Sequence, residues 1–481
     1  MKFYLLSIAS LFLVFTPFSL VTASETKIIA QKEQPSSQTI ESWTQKIQLN
    51  PNDDEAYNNR GTVYLSIGKY QQAIDDFSQV IKLNSEPSAT AVAYGNRGYA
   101  YYLSQDFSQA IQDLNKSIEL KPDLIIAYIN LGLVYTDLNR GEEAIANFNR
   151  AIELDPSYAD NYFNRGNVYR QLNRTEEAIA DYSQVIELNP QDYEAFYYRG
   201  IMHSASQQST LAISDYQQAI SLQPKYHQAY LAIGNEYVAQ NKYSEAAEQY
   251  SQAIEINSEY VEAYYNRAWA YQALWQHQQA IADYTRTIEL YPNNFNAYLN
   301  RGIAYYALKQ YPDSIADFSK SIEIEPKNAL AFTKRAVAYA DLKNYQSAVK
   351  DFERAASLKP NDPFYQFNKG LAYFNLNRYQ ESLEGYSAAI EIEPNNAEFY
   401  INRSNSYFKL KDYENAIADL DETIRLNPEY ADAYYNRATT YQNLEQIYLA
   451  IENFQQAALL YQQQGQTNLY QAAKTRIQEL Q

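Results

Sequence analysis

A spacing of 34 residues recurs almost without slippage from Ala91 to Gln464, and a chain written in such a period builds its core between successive copies rather than around one centre. One copy is marked by Tyr128, Gly132, Tyr135, Ala144, Phe148, Ala151 and Pro156; the next carries Tyr162, Gly166, Tyr169, Ala178, Tyr182, Val185 and Pro190. Twelve copies can be set out, starting at Asp54, Ala91, Ile125, Ala159, Tyr193, His227, Val261, Phe295, Ala329, Pro363, Ala397 and Ala431. A three-residue insertion separates the first two and reads as a longer loop near Pro87.

An aromatic near the start, small residues further in and a proline near the end describe two short antiparallel helices and a turn. The eighth position never exceeds serine in size, as in Gly166, Ala268 and Ser404, and the twentieth is always Ala or Ser, as in Ala110 and Ser314. Glycine in a helix costs about 1 kcal/mol against alanine, so its recurrence implies close helix approach. Aromatics at the fourth and eleventh positions, among them Tyr101, Tyr135, Tyr169 and Tyr305, are expected to fall against these small residues. Prolines such as Pro224, Pro292 and Pro360 mark the breaks between copies.

The Tyr-x-Asn-Arg-Gly-x-x-Tyr runs of Tyr162 to Tyr169 and Tyr298 to Tyr305, followed by Ala-Ile-x-Asp-Tyr/Phe and a closing Pro, resemble the tetratricopeptide repeat (TPR) family over nearly all of the chain beyond its N-terminal segment. The resemblance implies an all-α, right-handed solenoid of about twelve helix hairpins, the first helix of each lining a concave groove. Departures are few: Gln366 and His203 stand where an aromatic is usual, Ser85 and Ser258 where proline is. Trp43, Ile47, Leu49 and Pro51 match the second half of a copy, so residues 39–53 read as a capping half-repeat ahead of the array at 54–464. Leu469, Ala473, Ile477 and Leu480 keep helical spacing in a Gln-rich segment, so 465–481 reads as a capping helix and the array as complete.

Lys2, an apolar run from Phe3 to about Val21, and Val21-Thr22-Ala23 fit a signal peptide over residues 1–23, followed by a flexible leader over 24–38. An uncleaved membrane anchor is the competing reading, because the run nears the ~20 residues that span a bilayer. The repeat style resembles bacterial, particularly cyanobacterial, exported TPR proteins, which implies the periplasm or the thylakoid lumen. The chain has no cysteine, which excludes disulfides, thiolate catalysis and cysteine metal sites. A net charge of −18 without basic tracts opposes nucleic acid binding and an anionic lipid surface as the main partner.

Nine copies carry Arg at the seventh position, including Arg165, Arg199, Arg267 and Arg301. Sixteen residues on stand Asp181, Asp215, Asp283 and Asp317, and the three copies without this Arg, at Leu131, Ile233 and Lys369, have Asn147, Gln249 and Gly385 instead. Positions that change together imply structural ion pairs, within a helix pair or between neighbouring pairs, with ligand contact as the alternative role of the arginines.

The sixth position is Asn in nine copies, including Asn130, Asn164, Asn266 and Asn300. Such a row can pair with peptide groups of an extended chain, as similar asparagine rows do in the resembled family, or can brace a neighbouring helix. Phe163, Tyr197, Leu231, Tyr265 and Leu299 at the fifth position, with Trp269 and Ile303 at the ninth, would give the groove an apolar lining. Phe163, Tyr197, Leu231 and Tyr265 leave no place for the lysines with which some relatives clamp a carboxylate tail. His203, His227 and His277 sit at different positions in their copies, so no metal, cofactor or catalytic constellation emerges. The chain thus reads as a non-catalytic scaffold holding an extended, partly apolar segment of another protein. The alternative is a structural or assembly factor of an envelope or membrane complex, acting through its convex face or ends.

Overall fold

The computed structural model describes residues 37–84 and 86–481. The signal peptide and most of the leader expected above lie outside the described residues. Twenty-six helices and no strand occur among those described: two for each of the twelve copies, Ser37–Leu49 ahead of them and Thr467–Leu480 after. No helix among the described residues is long and apolar enough to cross a membrane.

Each second helix is amphipathic by spacing. In Thr175–Leu188 the buried residues are Ala178, Asp181, Tyr182 and Val185, three and four apart, so one stripe faces inward. First helices start on side-chain caps where the sequence supplies one: Asp192 accepts from the Ala195 N–H at 3.0 Å and Asn294 from the Ala297 N–H at 3.0 Å. They end on a residue with left-handed backbone at the fifteenth position, such as Asn173 with φ 56°. There the Arg174 N–H donates to the Tyr169 carbonyl at 2.8 Å and the Asn173 N–H to Arg170 at 3.1 Å, closing the helix end and turning the chain back.

The insertion ahead of the second copy is not accommodated in a loop. Its first helix runs from Pro87 to Leu103, seventeen residues against the thirteen of most first helices, with proline in the opening turn. Proline has no N–H to lose there and its fixed φ suits the first turn, so the extra residues lengthen the helix.

By compactness the chain divides at Ser258/Glu259 into two units. In the N-terminal unit, Leu131, Val134, Ala144, Phe148 and Ala151 form one core cluster, and Phe163, Tyr182, Val185, Ala195 and Tyr198 another. In the C-terminal unit, Tyr265, Ala268, Ala280, Tyr284 and Ala297 cluster, as do Leu299, Ile303, Phe318, Ala331 and Ala338. Each cluster draws on adjacent copies, as a nearest-neighbour solenoid requires.

The small eighth position faces the side chain at the twenty-fourth, an aromatic in most copies and Leu114 in the second, rather than one at the fourth or eleventh. A Cβ on Gly132 would lie 2.6 Å from Phe148 Cε1, and one on Gly302 2.7 Å from Phe318 Cε1. Glycine is therefore what lets the second helix seat its ring against the first. The tyrosines at positions four and eleven do something else.

Candidate functional site

Those tyrosines flank the arginines. The Arg165 guanidinium lies 5.6 Å from the centre of the Tyr162 ring and 5.8 Å from that of Tyr169. Its Nε donates to Asp181 Oδ2 at 2.8 Å and its Nη2 to Asp181 Oδ1 at 2.6 Å, a bidentate fork across the two helices of one copy. Its Nη1 reaches back to Asn149 Oδ1 at 2.6 Å, on the second helix of the preceding copy. The same three bonds join Arg199 to Asp215 and Ser183, and Arg301 to Asp317 and Thr285, while Arg267 holds Asp283 at 2.7 and 2.8 Å. Burial raises the Asp181, Asp283 and Asp317 carboxyls above their usual range despite the arginines' opposing pull. Three of the five guanidinium donors of Arg165, Arg199 and Arg301, and two of those of Arg267, are thus engaged within the array. The third partner was missed from sequence, although its trace is there: Ser, Thr or Asn stands sixteen residues before the Arg, as at Ser319 and Ser387, and nineteen before it at Ser78, across the three-residue insertion.

The amide row and the apolar row both lie deeper than expected. Asn130, Asn164, Asn266 and Asn300 are buried, and Asn300 Nδ2 donates to Tyr265 Oη of the preceding copy at 3.0 Å. Asn96 makes the equivalent bond to Asn58 at 3.1 Å, so these two members of the row brace neighbouring first helices, whereas Asn368 and Asn402 donate to the Phe364 and Glu398 carbonyls of their own helices at 2.7 Å. Phe163, Tyr265, Leu299, Ile303 and Trp269 are 8% exposed or less, and only Tyr197 and Leu231 of the expected groove lining are partly exposed. The cause is the stacking distance. Phe163 reaches Tyr198 of the next copy with ring centroids 5.7 Å apart, and Leu299 packs with Ala331 of its successor. Residues consumed in copy-to-copy packing offer no face to a ligand.

An accessible cavity of about 430 Å³ occurs instead among the first helices of the tenth to twelfth copies, Pro363–Asn375, Ala397–Lys409 and Ala431–Asn443. Phe374 and Phe408, both at the twelfth position, form apolar walls. Their rings are steadied by Tyr379 and Tyr413, at centroid distances of 5.4 and 5.6 Å. Asn405, Asn436 and Thr439 supply amide and hydroxyl groups, with Asn436 Nδ2 donating to Asn405 Oδ1 at 3.3 Å, and the exposed Lys409 adds an ammonium. The ninth position changes character toward this cavity, although Asn167 and Asn235 are polar there too and line no part of it. The position is apolar and buried at Trp269, Ile303, Val337 and Leu371, then becomes polar and partly exposed at Asn405 and Thr439, where the inner face opens. Apolar walls beside hydrogen-bonding groups suit a peptide segment.

Sequence profiles described as TPR repeat match residues 98–139, 132–173, 166–207, 234–274, 370–411 and 404–445. Profiles described as tetratricopeptide repeat match 54–87, 261–294, 295–328, 329–362 and 431–468. No curated protein matches the chain. Among solved structures, the chain is similar to YrrB, described as a TPR protein with an unusual peptide-binding site, at 26% identity over 39% of this chain and 96% of that one, TM-score 0.36. It is also similar to the C-terminal part of a TPR repeat-containing protein from Cytophaga hutchinsonii, at 20% identity over 49% and 97%, TM-score 0.45. A third is yeast Tom70, at 17% identity over 88% and 96%, TM-score 0.34.

Proposed function

The chain belongs to the tetratricopeptide repeat family, and from that premise we propose that it is a protein-interaction scaffold whose last three copies dock an extended, partly apolar segment of a partner. The observation that carries the reading is the cavity walled by Phe374 and Phe408, where the inner face is not filled by the array's own side chains. An apolar side chain of the segment sits between the two rings, and its peptide groups meet Asn405, Asn436 and Thr439. Aromatic side chains that become buried on binding carry most of the free energy in such recognition. Export ahead of docking is part of the proposal, on Lys2, the apolar run and Val21-Thr22-Ala23. A mature form beginning at Ser24 on intact-mass analysis supports it.

Peptides selected from a random display library against the purified chain provide the probe, read by fluorescence anisotropy. Phe374→Ala with Phe408→Ala is expected to weaken binding by about 100-fold or more, two anchor truncations at ~1.5 kcal/mol each. Unchanged affinity in that double variant overturns the groove reading and points to the convex face or the ends.

A further inference from the structure

A second cavity, of about 300 Å³, lies between the starts of the first helices of the tenth and eleventh copies. Pro363, Phe364 and Phe367 come from one helix, Glu398 and Phe399 from the other, and Glu393 from the link before it. Phe367 and Phe399 are buried, with ring centroids 5.2 Å apart, and form an apolar wall. Two carboxylates and no lysine or arginine line the space.

Glu398 is the unusual member. Its backbone is fully employed, the N–H donating to Asn396 Oδ1 at 3.1 Å and the carbonyl accepting from Asn402 Nδ2 at 2.7 Å. Its side-chain Oε1, by contrast, is buried with no hydrogen-bond partner. Burial raises this carboxyl above its ordinary range, and the neighbouring Tyr386 hydroxyl, itself buried and unpartnered, brings no positive charge. A carboxylate held so, against aromatic rings, is a standing free-energy cost that a cation would offset. Aromatic faces attract the same ions, above all when water is excluded, and they repel anions.

We propose that this cavity seats a lysine or arginine side chain of the docked segment, its charge against Glu398 and its stem along Phe364, Phe367 and Phe399. The occupant rests on the segment-docking reading above. Complementarity of charge favours it, because a chain of net charge −18 steers basic partners toward itself. The two cavities share helices, which fixes a spacing. From Phe367 to Phe374 is seven residues and from Glu398 to Phe408 ten, so about 10 to 15 Å of helix separates the two seats. An extended chain covers that in about three to five residues. The preferred segment therefore carries a basic residue three to five positions from its apolar anchor.

The test uses the full chain and two small probes, N-acetyl-arginine amide and its neutral isostere N-acetyl-citrulline amide, titrated by NMR. The arginine amide is expected to bind saturably and about tenfold more tightly than the citrulline amide. Glu398→Gln, which keeps shape and loses charge, removes that preference, and Phe364→Ala weakens both probes. Equal binding of the two probes, or a preference that survives Glu398→Gln, overturns the cavity while leaving peptide capture at Phe374 and Phe408 standing. Arginine-amide binding in a chain that captures no peptide overturns the segment as occupant. Captured peptides whose affinity is unchanged when their basic residue becomes citrulline overturn it as well.

Discussion

Asp181→Ala tests whether the arginine ladder holds the array together. The Asp181 side chain is 6% exposed and accepts two bonds from Arg165, of 2.8 and 2.6 Å. Without it the guanidinium keeps only Asn149 and two tyrosine faces. Stranding a buried charge costs about 3 to 5 kcal/mol, and because Arg165 remains 18% exposed to water, the lower end, about 3 kcal/mol, applies. Asp181→Asn should cost about half as much, since an amide can still accept one bond, as Asn453 does from Arg437 Nε at 2.9 Å. Replacing both partners, Arg165→Met with Asp181→Leu, should cost less than Asp181→Ala alone, because no charge is left behind. Urea denaturation followed by circular dichroism gives the totals, and amide hydrogen exchange over Thr175–Leu188 gives the local loss. An alanine variant as stable as the parent, or a double variant costlier than it, would refute the reasoning.

Two further outcomes are expected. Gly385→Ala should destabilise by about 2 kcal/mol or more, because its Cβ would lie 2.6 Å from the Gly370 backbone, which cannot swing aside as a side chain can; a melting temperature within a degree or so of the parent counts against this. Lys334 occupies the amide row, and burial lowers its pKa from 10.5 to about 8, so the unfolded chain binds the proton more tightly between those values. Stability contributed by this site is lowest below about pH 8 and rises with pH across that window; Lys334→Asn should therefore stabilise the chain at pH 7 by about 2 kcal/mol, with the gain fading between pH 8 and 10.5, as denaturation at several pH values can check.

The helical hairpins were legible because the sequence repeats its own constraints: Gly132 and Phe148 recur as Gly166 and Tyr182, and the arginine and aspartate positions change together. What could not be read was distance between copies. Leu299 and Asn405 both belong to the inner rows of their first helices, yet one is fully buried under the next copy and the other lines an open cavity. The difference lies in the volume of side chains from neighbouring copies, which a period assigns to a face but not to a depth. The same limit sent the insertion near Pro87 to a loop, since periodicity locates extra residues without saying whether a helix can absorb them. Glu398 gave no signal at all, because its isolation arises from what Phe367, Phe399 and Tyr386 happen to exclude.

Arg97, Arg165, Arg199, Arg301, Arg335, Arg403 and Arg437 each grip their own copy and the one before, so each acts as a rivet through two plates. Ahead of the third, sixth and tenth copies, where Leu131, Ile233 and Lys369 stand, the rivet is missing. Under tension or thermal agitation the chain should part first along these seams. The last of them falls just before Pro363, so every residue walling the two cavities lies on its far side. A pull on the chain could then free the three terminal copies as one block, still gripping whatever they hold.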